Sequence, residues 1–245
     1  MPFDVKESLR TDGYALVPGD RLPVDPFARQ FQPAFAASWD DLEPDRYLKD
    51  GARFRERRYS RFAYYPAEHR FELMAHRPYF QSANANEYAG GIQREVAPFA
   101  QDTLANPMVA ALIDLDFAQF PVTEPELLGG RWEIQAHQFR IIARGDEAGE
   151  PTPEGIHRDE VDFGAIHLLR RTNADGGRSL LYDNAKEPLA DFCLTDPLDT
   201  MYWADQQVLH AVTTLAPVDP SAPAIRDIVI FGFESGRLGR SAAMM

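Results

Sequence analysis

Gly155-Ile156-His157-Arg158-Asp159 closes a proline-rich loop, Pro151-Thr152-Pro153-Glu154-Gly155, and sets a histidine and an aspartate two residues apart. On an extended segment residues i and i+2 point to the same side. Both side chains can then reach one metal ion. A third ligand is offered by Val208-Leu209-His210-Ala211-Val212, and sixteen positions later Arg226-Asp227-Ile228-Val229-Ile230-Phe231 puts a guanidinium at the mouth of an apolar strand. Two histidines and one carboxylate with open coordination positions form a set suited to iron(II). A His-x-Asp pair alone is a weak signal, and His210 alone would read as a satisfied core histidine. The weight lies in the constellation.

From about Gly130 the sequence consists of short strands separated by turns, which suggests a barrel or jelly roll. The strands read as Trp132 to Ile142, Phe163 to Arg171, Arg178 to Asp183, Thr200 to Trp203, Val208 to Thr213 and Ile225 to Phe233, with a strong turn signal at Asn173-Ala174-Asp175-Gly176-Gly177. In the first of these, Gln138 and Arg140 share a face with Trp132, Ile134, Ala136 and Ile142. An unpaired buried arginine is costly, so Arg140 either meets an internal acid or faces a ligand. His137 falls on the other face, with Glu133, Gln135 and Phe139, and is not a favoured ligand. His167, within an apolar strand, reads as a core residue.

The half of the chain before Gly130 reads differently. A short helix over Lys6 to Arg10 precedes a strand at Tyr14 to Val17. Asp25 and Pro26 predict a capped helix from Phe27 to about Ser38, Asn106 and Pro107 a second one to Phe117, and Glu87 to Leu104 a further helix interrupted by Gly90-Gly91 and Pro98. Arg53 to Phe62 is a basic island with strand alternation. It is either a solvated face or supplies an arginine that holds a substrate carboxylate in the pocket. His69 and His76 read as surface residues.

Composition sets the bounds. The 245 residues carry 38 acidic against 25 basic side chains, a formal charge of −13, which argues against nucleic acid or an anionic membrane as partner. The single Cys193 excludes an internal disulfide and suits a reducing compartment. No signal peptide is read in Met1-Pro2-Phe3-Asp4-Val5-Lys6, and no apolar run approaches spanning length, so a cytoplasmic protein is expected. The last dozen residues, through Met245, read as a loose tail.

The order His157-x-Asp159, His210, Arg226 resembles that of the iron(II)/2-oxoglutarate-dependent dioxygenases. More narrowly, Pro153 to Asp159, Asn173 with Gly176-Gly177, His210-Ala211-Val212-Thr213 and Arg226-Asp227 are similar to the bacterial branch that includes L-isoleucine dioxygenase. The likeness is firm from about Gln138 to Phe233 and general before that. It implies a mainly β chain with N-terminal helices, folded as one domain over 1–245: a double-stranded β-helix (a cupin-like jelly roll) over 130–235, with a helical and mixed part over 1–125 packed on it. It implies iron(II) on His157, Asp159 and His210, 2-oxoglutarate held through its distal carboxylate by Arg226, and dioxygen as oxidant, with ascorbate a helpful addition in vitro. The implied reaction hydroxylates a free or lightly modified aliphatic amino acid and releases succinate and carbon dioxide. Gln138, Arg140, Ser179 and Tyr182 are the further pocket residues expected. One departure stands out: the branch carries glycine after the aspartate, where this chain has Glu160 at a position expected to border the pocket. Two other readings compete, a cupin-like metalloenzyme that does not use 2-oxoglutarate and a non-catalytic small-molecule-binding jelly roll. Self-association into a homo-oligomer is left open.

Overall fold

A computed structural model describes residues 4–83, 86, 88–145 and 147–236; the expected tail from 237 onward lies outside them. In chain order the elements are α1 (Val5–Thr11), β1 (Tyr14–Val17), α2 (Pro26–Arg29), α3 (Gln32–Ala37), β2 (Glu43–Pro44), β3 (Arg55–Tyr65), β4 (Arg70–Leu73), α4 (Gln101–Leu104), α5 (Pro107–Gln119) and α6 (Pro125–Leu128). Then come β5 (Trp132–Ala143), β6 (Phe163–Thr172), β7 (Ala174–Gly176), β8 (Ser179–Tyr182), β9 (Pro188–Phe192), β10 (Thr200–Ala204), β11 (Leu209–Val212), β12 (Leu215–Pro217) and β13 (Ala224–Glu234). The chain is mainly β, antiparallel, with its helices in the N-terminal half.

The helices start where capping chemistry allows. Asp4 accepts from Glu7 N–H at 3.1 Å, Asp25 from Phe27 and Ala28 N–H at 3.0 Å, and Asn106 from Met108 N–H at 2.9 Å, the last two with proline opening the helix. The helix expected from Phe27 to Ser38 is split at Phe31. Pro33 cannot donate to the preceding turn, so the chain restarts α3 with proline in its first turn. The helix expected over Glu87 to Leu104 is corrected more heavily: of its described residues only α4 is α-helical. Gly90 packs so tightly that an added Cβ would lie 2.3 Å from the carbonyl oxygens of both Ser82 and Asn86. Arg94 instead runs beside Tyr79 in an isolated bridge, each N–H donating to the other's carbonyl at 2.8 Å.

One large sheet runs β1-β10-β6-β13-β5-β3-β2, with β4 beside β3, and a smaller one runs β11-β8-β9. The strand at Pro188–Phe192 and the β7–β12 pair were not expected from the sequence; β7 lies inside the turn expected at Asn173 to Gly177. Period-two alternation divides β13 cleanly. Val229, Phe231 and Phe233 pack into the larger core with Trp132, Ile134 and Ala136 of β5 and with Leu9, Phe35, Trp39, Leu112, Ile113 and Phe117 from the helical half. Ile228 and Ile230 face the other way, toward Leu181, Trp203 and Val208 in a second core between the sheets. The helices therefore cover one face of the large sheet and the small sheet covers the other, which is a jelly roll with N-terminal helices.

Two glycines make room between the sheets. Gly164 of β6 pairs with Gly232 of β13, and the Trp203 ring lies directly over Gly164. A Cβ there would sit 2.1 Å from Trp203 Cζ2. Gly164→Ala should therefore force the indole out of its seat, at about 1–3 kcal/mol, the usual cost of overpacking. A thermal melt should show Tm lowered by several degrees. An unchanged melting temperature would show that the ring moves without penalty.

Candidate metal and anion site

The proline-rich loop before His157 delivers that residue into register with β11. His157 and His210 form an isolated antiparallel bridge, His157 N–H donating to His210 O at 3.0 Å and His210 N–H to His157 O at 2.9 Å. The two imidazoles are thereby placed with ring centres 4.3 Å apart. Asp159 reaches the same point: its two carboxylate oxygens lie 3.5 Å from His157 Nε2 and 3.5 Å from His210 Nε2. One ligand atom from each of the three lies within 4.8 Å of the others, the arrangement a single ion would need. His157 Nδ1 sits 2.9 Å from Gly155 O, where it donates, which turns Nε2 toward Asp159 and His210.

The charge state expresses the same demand for a cation. Burial opposes charging of His157, yet the hydrogen bond to Asp159 and the charges of Glu154 and Asp159 prevail and push its pKa up to about 9. Burial and the neighbouring His157 push His210 down to about 4. Burial likewise opposes ionisation of Asp159, but His210 and His157 hold its carboxyl well below the usual range. Without an ion, one proton shared at the cluster supplies the positive charge, and a divalent cation would compete with it directly.

Asp205 was not singled out from the sequence. Its buried carboxylate accepts from the N–H groups of Asp159 (3.0 Å), Glu160 (2.8 Å) and Val161 (3.2 Å) and from the Trp203 indole (3.1 Å). It thus fixes the backbone that carries Asp159, while burial and then the charge of Asp159 push its own pKa up to about 6. The signal available was an aspartate just past the apolar Thr200–Trp203 strand, too common a pattern to single it out.

The triplet opens into a cavity lined by charged, aromatic and aliphatic side chains, the kind of concave site in which small molecules bind. Arg226 lines it, 1% exposed, and none of its three guanidinium nitrogens has a hydrogen-bonding partner among the described residues. Burial pushes its pKa down to about 10. A charge so placed calls for an anion, and a carboxylate fits the fork of two N–H donors. Gly177, at φ +62°, lies beneath the side chain, where a Cβ would be 3.2 Å from Arg226 Cδ. The apolar wall comes from Phe139, Ile141, Val161, Ile166, Ile228 and Ile230.

The other expected pocket residues are placed elsewhere. In β5 it is Gln135, His137, Phe139 and Ile141 that line the cavity, and Gln138 and Arg140 lie on the opposite, helix-covered face. Gln138 donates to Ser38 Oγ at 2.9 Å. Arg140 meets an internal acid: Asp227 at 2.8 Å and Asp40 at 2.8 Å. The face assignment for His137 is likewise reversed; it lines the cavity, 3.0 Å from Arg57, but is not one of the clustered ligands. Ser179 is buried and Tyr182 half-buried, both outside the cavity wall. Of the basic island, Arg55 and Arg57 do face the cavity, and Arg58 and Arg61 pair with Asp41 and Glu133. Glu160 has φ +64°, a conformation glycine adopts freely, and is not in the cavity wall. Its carboxylate accepts from Ser82 N–H at 3.3 Å and Oγ–H at 2.9 Å. His167 is a satisfied core residue, bonded to Thr200 and Asp116, and His69 is exposed.

The profile of the 2OG-Fe dioxygenase family matches residues 36–232. An L-isoleucine-4-hydroxylase of Bacillus thuringiensis is 30% identical over 199 residues, covering 79% of this chain and 78% of that protein. A 3(1)-hydroxy-L-isoleucine 4-dioxygenase of Pantoea ananatis is 27% identical over 158 residues, 64% of each chain. The crystal structure of a bsmA homolog from Methylobium petroleophilum PM1 superposes with a TM-score of 0.81 at 33% identity, over 95% of this chain and 92% of that one. Among the described residues no helix is long and apolar enough to cross a membrane.

Replacing Asp205 by asparagine keeps the shape but turns an N–H group toward backbone donors. Asp205→Asn should weaken binding of a divalent ion such as Mn(II) by about 10- to 100-fold, the usual effect of losing a group that orients a ligand. Calorimetric titration of Mn(II) checks this, and equal affinity in wild type and variant would remove Asp205 from the metal-positioning role.

Proposed function

The chain belongs to the 2OG-Fe dioxygenase family, and we propose that it hydroxylates a free aliphatic L-amino acid in an iron(II)- and 2-oxoglutarate-dependent reaction that releases succinate and carbon dioxide. The two curated relatives act, by their names, on isoleucine and a hydroxyisoleucine, which favours an amino acid as substrate. The observation that carries the residue assignment is Arg226: a buried guanidinium without a partner among the described residues, in the same cavity as the triplet.

In this reading His157, Asp159 and His210 hold the iron, and Arg226 holds the distal carboxylate of 2-oxoglutarate. When bound, iron, 2-oxoglutarate and dioxygen together supply the oxidising power to hydroxylate an unactivated carbon. The protein supplies placement. The Gly155 carbonyl sets the tautomer of His157, Asp205 holds the Asp159 loop, and Ile166, Ile228 and Ile230 keep the reacting region dry. A cupin-like enzyme without 2-oxoglutarate would leave Arg226 a buried charge with nothing to meet. A non-catalytic jelly roll would have no use for three convergent ligands.

Truncating Arg226 should separate these readings. Loss of one partner of a buried charge pair costs about 2–5 kcal/mol, roughly thirty- to several-thousand-fold in affinity. Titration of 2-oxoglutarate into anaerobic, iron-loaded protein, followed through the metal-to-ligand absorption band, should show that loss in Arg226→Ala. Arg226→Lys should recover part of it, keeping the charge without the fork. Iron affinity should stay nearly constant across the three. Equal 2-oxoglutarate affinity in Arg226→Ala would move the anchor elsewhere and revive the cupin-like alternative.

A further inference from the structure

A second guanidinium in the cavity is also left without a counter-charge. Arg94 is 2% exposed, lines the cavity, and forms no ion pair among the described residues. One terminal nitrogen donates to Gln81 Oε1 at 2.8 Å, Nε has no partner, and the group stacks 4.5 Å from the Tyr79 ring centre. Its neighbours are better supplied. Arg55 is paired with Asp45 at 2.8 Å, and Arg57 reaches the same Asp45 at 3.4 Å and His137 at 3.0 Å. One acid serves both, and Arg94 is the remainder. A buried cation without a carboxylate costs several kcal/mol in desolvation, so a fold that keeps one has a use for it.

The location separates this cation from Arg226. Along β5 and β13, Arg226 faces Ile141, and four residues on Ile230 faces His137. Tyr79 packs on His137 with centres 4.7 Å apart, and Arg94 packs on Tyr79. Four residues of strand span about 13 Å. A five-carbon diacid extends roughly 5 Å between its end carbons, from bonds of about 1.5 Å, well short of this backbone spacing, which supports separate seats for the two arginines. The second seat belongs to a second carboxylate.

Building on the amino-acid hydroxylase reading, we infer that Arg94 anchors the α-carboxylate of the substrate. The backbone bridge between Arg94 and Tyr79 fixes the arginine's position, and Gln81, which also accepts from Asn86 at 3.1 Å, holds the orientation of its guanidinium. A ligand of this class is a monocarboxylate with an apolar side chain: the carboxylate meets Arg94, and the chain lies along the isoleucine-lined wall.

The test compares amino acids with their primary amides, which keep the size and lose the negative charge. Calorimetry on anaerobic protein loaded with Mn(II) and 2-oxoglutarate, using L-leucine, L-isoleucine and L-methionine and the three amides, reads binding without turnover. In wild type at least one amino acid should bind about thirtyfold or more tightly than its amide. Arg94→Ala should lose that acid affinity while binding the amide as before, so that the preference collapses; Arg94→Lys should fall between. Affinity for 2-oxoglutarate, titrated separately, should be unchanged in both variants, which shows the cavity intact. A preserved acid-over-amide preference in Arg94→Ala overturns the assignment, and so does equal weakening of acid and amide, which would mark Arg94 as structural. If wild type binds 2-oxoglutarate but none of the amino acids, the amino-acid reading itself fails and takes the assignment with it.

Discussion

Two strands, β5 and β13, settle most of what this protein is, because each must serve two environments at once. Their alternation sends Ile134, Ala136, Val229, Phe231 and Phe233 into the helix-covered core and Phe139, Ile141, Ile228 and Ile230 toward the cavity. A slip of one residue would exchange the two sets, burying Arg226 against the helices and turning Phe231 into the site. The helical half is therefore what fixes the face of the sheet on which chemistry can occur.

The same strands carry charges on both faces, and the two faces treat them differently. On the helix side Arg140 and Arg170 close around Asp227 and Asp40, a network in which both carboxylates accept from both arginines. On the cavity side Arg226 and Arg94 have no acid at all among the described residues, and the anionic groups of the cavity gather at the triplet and Glu154. Closed networks specify a fold; open charges specify a ligand. The distinction is one of partners, and a sequence does not list partners.

That limit explains which residues could be read in advance. The cluster His157, Asp159 and His210, with Arg226, was legible because strand spacing and ligand chemistry combine in a short motif, and Asn106-Pro107 was legible because capping is local. Arg140 and Arg226 look alike in sequence, each an arginine on an apolar strand. They differ only in Asp227 and Asp40, the latter 100 positions from Arg140 in the chain. Arg94 was hidden twice, by distance and by a helical reading of the stretch from Glu87 to Leu104, whose described part is largely irregular before α4. Asp205 acts through backbone N–H groups, which leave no trace in side-chain pattern.

Glu160 shows how a local rule can be broken and compensated. A non-glycine residue at φ +64° carries a steric cost of about 1–2 kcal/mol, and glycine would carry none. Asp205 imposes the turn by accepting from three consecutive N–H groups, Asp159 to Val161, so the conformation is enforced whatever side chain stands there. The glutamate then offsets its strain with two hydrogen bonds from Ser82, the residue next to Gln81, which in turn holds Arg94. The loop bearing Asp159 and the segment bearing Arg94 are tied to each other through this side chain. A glycine would relieve the backbone and cut the tie, so the position trades local strain for a fixed distance between the triplet and the far wall of the cavity.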